Sequence, residues 1–160
     1  MTASPASLLL SLEVNGIATE VAAPPHFTLL ELLRYKLQLT GSKQGCDKGD
    51  CGACTVQIDG QPALACLTLA VQADGRKVRT VEGLAGRAAH PLQDALDRHD
   101  AAQCGFCTPG ILMSAERLLR TAGRKVTREE ASLAIAGNLC RCTGYTKIID
   151  AIVDASGAKS

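Results

Sequence analysis

Gly45-Cys46-Asp47-Lys48-Gly49-Asp50-Cys51-Gly52-Ala53-Cys54 brings three cysteines into one short stretch, and Cys66 completes the series C-x4-C-x2-C-x11-C. Residues 40–54 are dense in Gly, Lys, Asp and Cys. No helical or strand period runs through them, so the segment reads as a loop wrapped around something rather than as a packed element. Gly45, Gly49 and Gly52 are placed to supply the positive φ angles and close approach that such a loop needs.

The remaining four of the eight cysteines are Cys104, Cys107, Cys140 and Cys142. No Lys or Arg precedes the short Leu8-Leu9-Leu10 run and Glu13 closes it, so neither a Sec nor a twin-arginine signal is visible. The expected location is therefore cytoplasmic, where thiols do not persist as disulfides and serve instead as metal ligands. Cys46, Cys51 and Cys54 carry the plant-type 2Fe-2S spacing, whose fourth ligand lies further along, here Cys66. A structural zinc site more often pairs two short C-x2-4-C knuckles, whereas three of these cysteines share one loop. A Rieske centre needs two histidines, and His26, His90 and His99 all lie away from the cysteine motifs.

Working outward, residues 8–14 alternate as a strand, Asn15-Gly16 is a type I′ hairpin signal, and residues 17–21 return. Pro24-Pro25 breaks the run; Thr28 with Glu31 forms a capping box for a helix of about ten residues. Residues 55–58 and 63–69, with a turn beginning at Asp59-Gly60, read as a second hairpin, and residues 78–81 as a last strand. The pattern then turns helical. Pro91 opens a helix to about residue 101, Thr108-Pro109 a second, and Thr127 with Glu130 a third; the last spans about residues 145–153 with Thr143 as its cap. Residues 154–160 read as a frayed tail. The expected class is α+β, with an N-terminal domain over residues 1–82 and a small helical bundle over 83–160.

Seventeen Lys and Arg against sixteen acids give a net charge of +1 with no long block of one sign, and Trp is absent beside two Phe and two Tyr. Neither a phosphate-tracking surface nor a base-stacking platform is present, which argues against nucleic acid. No apolar stretch approaches the ~20 residues that cross a bilayer.

Cys104, Cys107, Cys140 and Cys142 form C-x2-C, a long gap and C-x-C. Spacing alone leaves this quartet open to zinc. The first quartet favours a second redox centre beside it, because two such centres carry an electron onward where one only stores it.

Three segments together carry a resemblance that spans nearly the whole chain. They are Gly45 through Val56, Gln103-Cys104-Gly105-Phe106-Cys107-Thr108-Pro109-Gly110, and Gly137-Asn138-Leu139-Cys140-Arg141-Cys142-Thr143-Gly144-Tyr145. With Cys66 they use all eight cysteines and resemble the small subunit of the xanthine oxidase family of molybdenum hydroxylases. The resemblance implies a β-grasp, ferredoxin-like domain holding one 2Fe-2S cluster and a four-helix bundle domain holding the other. It implies molybdopterin in a large partner subunit and FAD in a medium one, in a dimer of heterotrimers, with electrons passing between molybdenum and flavin through both clusters and no catalytic residue in this chain. Gln103 and Cys142 are expected nearest the pterin, Cys142 doubling as an iron ligand. Arg141 and Lys43 are expected as solvated charges and Tyr145 as a packing residue. Within the family, residues 43–50 look closest to the 4-hydroxybenzoyl-CoA reductase small subunit, with nicotinate, xanthine and carbon monoxide dehydrogenases further off, and the resemblance implies an aromatic acyl-CoA or an N-heterocycle as substrate. The alternative from another class is a free ferredoxin-like carrier, although a net charge of +1 offers little steering for one.

Overall fold

The computed structural model describes residues 7–157; the expectation that no export signal is present draws partly on residues 1–6, and the end of the expected tail on 158–160, both outside that range. β1 (Leu8–Val14) and β2 (Ile17–Ala23) pair antiparallel, with Leu10 opposite Val21. The turn between them holds Asn15 at φ 53° and Gly16 at φ 82°, the two left-handed positions of a type I′ turn. β3 (Thr55–Ile58) and β4 (Gln61–Leu64) form the second hairpin, and β5 (Lys77–Arg79) lies between the hairpins. The sheet order is β2-β1-β5-β3-β4, with β1 and β5 parallel and the other neighbours antiparallel.

α1 opens as a helical turn at Leu29–Glu31 and continues as a π-helical turn over Leu32–Lys36, shorter than the expected ten residues. The Thr28–Glu31 capping box is closed from both sides, with the Thr28 amide donating to the Glu31 carboxylate at 2.8 Å. Leu29, Leu30, Leu32 and Leu33 are buried against Leu10, Leu12, Val56, Ile58 and Val78 of the sheet. Each such leucine contributes about 1.5–3 kcal/mol relative to exposure.

The helices from Pro91 onward build a second core. α2 (Pro91–Arg98), α3 (Thr108–Ala122), α4 (Arg128–Ala134) and α5 (Thr146–Ala155) bury Leu92, Ile111, Met113, Ile135, Ile148 and Ile152 together. α2 stops at Arg98 rather than residue 101, because Asp100 turns left-handed at φ 46°. α5 runs on to Ala155, so the expected tail begins as helix. β4 likewise ends at Leu64, well before residue 69: the Leu67 amide bonds back to the Leu64 carbonyl, turning the chain through Cys66.

The two cores meet along β3, whose four residues are all buried. One side faces α1; on the other, the Gln57 amide donates to the Met113 carbonyl at 2.9 Å and to the Glu116 carboxylate at 2.6 Å. Arg79 and Arg120 close on the same carboxylate at 2.9 and 3.3 Å. Glu116 is thus a buried charge held by two cations and an amide, as burial requires.

Candidate metal centres

Three members of the first quartet, Cys46, Cys51 and Cys54, sit on the loop between α1 and β3. The base of that loop is pinned from within the chain: Arg34 donates to the Thr40 and Ser42 carbonyls at 2.8 and 2.6 Å. Lys43 folds its ammonium onto the Thr40 and Gly41 carbonyls, and is spent on holding backbone rather than left to solvent. Gly49 and Gly52 take φ 85° and 68° as the loop curls. Gly45 needs no positive φ; a Cβ there would lie 3.1 Å from the Cys51 sulfur and 3.2 Å from the Phe106 ring.

Within the loop, the Cys51 amide points at the Cys46 sulfur, 3.4 Å away. Backbone amides of Lys48, Cys51 and Asp50 together hold the Cys46 thiol down to about 7. Such donors stabilise a thiolate, bound or free. Cys66 reaches the group from the turn after β4, where burial and then the Cys54 sulfur push its thiol up to about 12. The sulfurs pair as Cys46 with Cys51 and Cys54 with Cys66.

The second quartet is assembled from two loops far apart in sequence. Cys104 and Cys107 precede α3, Cys140 and Cys142 precede α5, and the pairs here are Cys104 with Cys142, 3.5 Å apart, and Cys107 with Cys140. Burial pushes Cys107 up to about 12. At Cys140 burial also raises the thiol, but the Thr143 hydroxyl and the amides of Cys142 and Thr143 outweigh it and the net shift is downward. Cys104 is lowered by the Phe106 amide and then by Cys142.

The donor set fits a two-iron group. Among the described residues no three His, Cys, Asp or Glu side chains close on one point, as a single tetrahedral ion would ask. Each quartet instead offers two pairs of thiols, and a 2Fe-2S group takes two thiolates on each of two irons. Deprotonating thiols such as Cys66 and Cys107 makes loading a proton-releasing event.

Gln103 lies exposed beside Cys104 at the rim of the second quartet, and Cys142 is partly exposed. Arg141 is exposed, as expected of a solvated charge. Thr143 is not the cap of α5: its hydroxyl accepts from the Tyr145 amide at 3.2 Å and meets the Cys140 sulfur at 3.1 Å, and Tyr145 itself holds the cap position at φ 67°. Tyr145 packs on the helical core as expected, and its hydroxyl also donates to the Asn138 carbonyl and accepts from the Cys140 amide. The three histidines lie elsewhere. His26 is exposed, His90 caps α2 by accepting from the Leu92 amide, and His99 pairs with Asp154.

The two quartets share a seam. The Leu139 amide, next to Cys140, donates to the Cys51 carbonyl at 2.9 Å. Asn138 is buried behind it and reaches the Gly52 carbonyl. Asn138 lies within the third motif with no role legible there, and for Gln57 and Glu116 the sequence offers one signal, a polar residue between Val56 and Ile58.

Comparison with known proteins finds two iron-sulfur domains along the chain. A 2Fe-2S iron-sulfur cluster binding domain matches residues 12–79, and a second 2Fe-2S binding domain matches residues 80–153. The chain is 53% identical to the nicotine 6-hydroxylase small subunit of Paenarthrobacter nicotinovorans, over 92% of this chain and 89% of that one. The chain belongs to the small 2Fe-2S subunits of the xanthine oxidase family of molybdenum hydroxylases. It is 48% identical to the caffeine dehydrogenase gamma subunit of Pseudomonas sp. (strain CBB1), over 94% of this chain and 92% of that one. Among solved structures, the quinoline 2-oxidoreductase of Pseudomonas putida 86 superposes with a TM-score of 0.90 at 46% identity, covering 94% of this chain and 93% of that one. This family member is thus an iron-sulfur electron-transfer subunit with an α+β fold. The finer likeness to 4-hydroxybenzoyl-CoA reductase is not shown by these relatives.

Proposed function

We propose that this chain relays electrons between a molybdenum centre and a flavin, both carried by partner subunits, and has no substrate site of its own. Cys46, Cys51, Cys54 and Cys66 hold one 2Fe-2S cluster in a domain ending near residue 82, and Cys104, Cys107, Cys140 and Cys142 hold the other in the helical domain. A 2Fe-2S group supplies one-electron storage at a potential set by charge, hydrogen bonds to sulfur and exposure. This chain's part is to hold the two quartets close and to aim amides at their sulfurs. The observation that carries the reading is the seam itself, where residues beside Cys140 bond directly to Cys51 and Gly52.

The rims suit two partners. Around the second quartet Cys104, Phe106 and Leu139 are exposed, with Gln103 beside them. This rim faces the large molybdopterin subunit, with Gln103 and Cys142 nearest the pterin. Leu67, Leu69 and Val71 are exposed on the segment that follows Cys66, and this side faces the medium FAD subunit. Exposed apolar groups flanking both sites are what a permanent interface would cover. Nicotine, caffeine and quinoline in the names of the relatives favour an N-heterocycle over an aromatic acyl-CoA as the substrate class. The assembly is a dimer of heterotrimers in the cytoplasm; no described helix is long and apolar enough to cross a membrane.

The test is the iron, molybdenum and flavin content of the particle that co-purifies with this chain from its native host. About four irons per chain, the number that two 2Fe-2S clusters require, with molybdenum and FAD in the same particle is the expected result. Four irons with neither cofactor would replace this reading with the free carrier.

A further inference from the structure

Asn138 stands between the two quartets and belongs to neither. Its side chain is buried. The amide nitrogen donates to the Gly52 carbonyl at 2.9 Å and to the Thr55 hydroxyl at 3.2 Å, and the amide oxygen accepts from the Ser114 hydroxyl at 2.8 Å. One side chain therefore ties the backbone next to Cys51, the first residue of β3 and the middle of α3 to the strand of chain that enters Cys140. Its own backbone is held as well, its amide donating to the Ile135 carbonyl at 2.8 Å and its carbonyl accepting from the Tyr145 hydroxyl at 3.2 Å.

The surroundings leave this amide no room to move. A Cβ on Gly52 would meet the Gly137 carbonyl and the Asn138 side chain, and a Cβ on Gly110 would meet the Gly52 carbonyl. Backbone from three segments therefore packs in contact here, and only glycine at positions 52 and 110 permits it. Thr55 completes the arrangement by donating its hydroxyl to the same Gly52 carbonyl at 2.7 Å. A buried polar network with every member satisfied is rigid and specifies one arrangement. The contact beside it, Leu139 amide to Cys51 carbonyl, joins the two metal-holding loops and has no side chain of its own to fix its length.

We propose that Asn138 is a positioning residue that sets the separation and register of the two cysteine quartets, and thereby the rate at which an electron passes between them. The inference rests on the relay reading above. The step itself is one electron leaving one reduced 2Fe-2S group for its oxidised neighbour, with no bond made and no proton moved. Asn138 touches neither group. Its effect is on their spacing, and so it must appear in a quantity that depends on spacing and not merely in stability.

Asn138→Asp is the sharpest variant, because it keeps size and the acceptor for Ser114 while turning the donor that faces the Gly52 carbonyl into a second acceptor. Ser114→Ala removes only one of the three side-chain contacts and is the milder member of the series. Both are made in the native complex, and two quantities are read: the magnetic interaction between the reduced clusters by low-temperature EPR, and internal electron exchange by flash reduction. In Asn138→Asp the g-values of each cluster stay as in the parent, the interaction between them weakens, and internal exchange slows measurably relative to the parent, because electron transfer falls off with the separation of the two centres. Ser114→Ala falls between the two. Should Asn138→Asp fail to retain its iron, Ser114→Ala against the parent carries the same comparison. An unchanged magnetic interaction and exchange rate beside a lowered melting temperature would reduce Asn138 to a structural role and overturn the proposal. A parent complex without two cluster signals would instead sink the relay reading before any variant is made.

Discussion

The two quartets reach the same end by opposite routes. The first draws three of its four cysteines from one glycine-bent loop, pinned at its base by Arg34 and Lys43. The second exists only because α3 and α5 bring two distant loops together over the core of Ile111, Ile148 and Ile152. A local loop can hold its ligands while the rest of the molecule breathes. A site assembled from helix ends is only as firm as the bundle behind it.

Breaking the seam should hurt both quartets at once. Gly52→Ala sets an alanine at φ 68° and drives its Cβ into the Gly137 carbonyl. The strain and the collision together cost about 3 kcal/mol or more, and iron per chain should fall well below the parent value by colorimetric assay. Retention of full iron would show that the seam is softer than its geometry suggests. Ile152→Ala separates the two routes. It empties a fully buried position in the helical core, at a cost of about 2–5 kcal/mol. On mild heating its second cluster should bleach before the first, read as sequential loss of two EPR signals; simultaneous loss would contradict the difference drawn between the quartets.

This difference also explains what the sequence made legible. The Asn15-Gly16 turn, the Thr28 and Thr127 capping boxes and the C-x4-C-x2-C loop are all local signals, and each is found where it was expected. The second quartet was ambiguous by spacing because its geometry belongs to α3 and α5 and to nothing within either loop. The overlong strand at residues 63–69 misled for a related reason. Its apolar run is broken only by Thr68, but Cys66 has to leave the sheet to face Cys54, and the chain turns at Leu64 to allow it. Gln57, Glu116 and Asn138 stayed unread because the contacts that join them across the two cores, Gln57 to Met113 and Glu116 and Asn138 to Gly52, span 56 to 86 residues.

A smaller effect sharpens the picture of the bundle. His90 caps α2 through Nδ1, which accepts from the Leu92 amide and must be unprotonated to do so. Burial lowers its pKa from the ordinary 6.5. The folded state therefore binds a proton less readily than the unfolded, so the cap's contribution is complete above the unfolded value and is lost as pH falls through the lower folded one. His90→Ala should cost about 1 kcal/mol at about pH 8 and less at about pH 5, measured as melting temperatures against the parent. An equal cost at both pH values would mean that the ring acts by packing alone.

The central claim is that each quartet holds its own 2Fe-2S cluster, and its most direct test is the EPR spectrum of the anaerobically isolated native protein reduced with dithionite. The account predicts two separable signals of equal intensity, one abolished by Cys54→Ala and the other by Cys140→Ala. One signal alone, or zinc in the second quartet of the native protein, would contradict it.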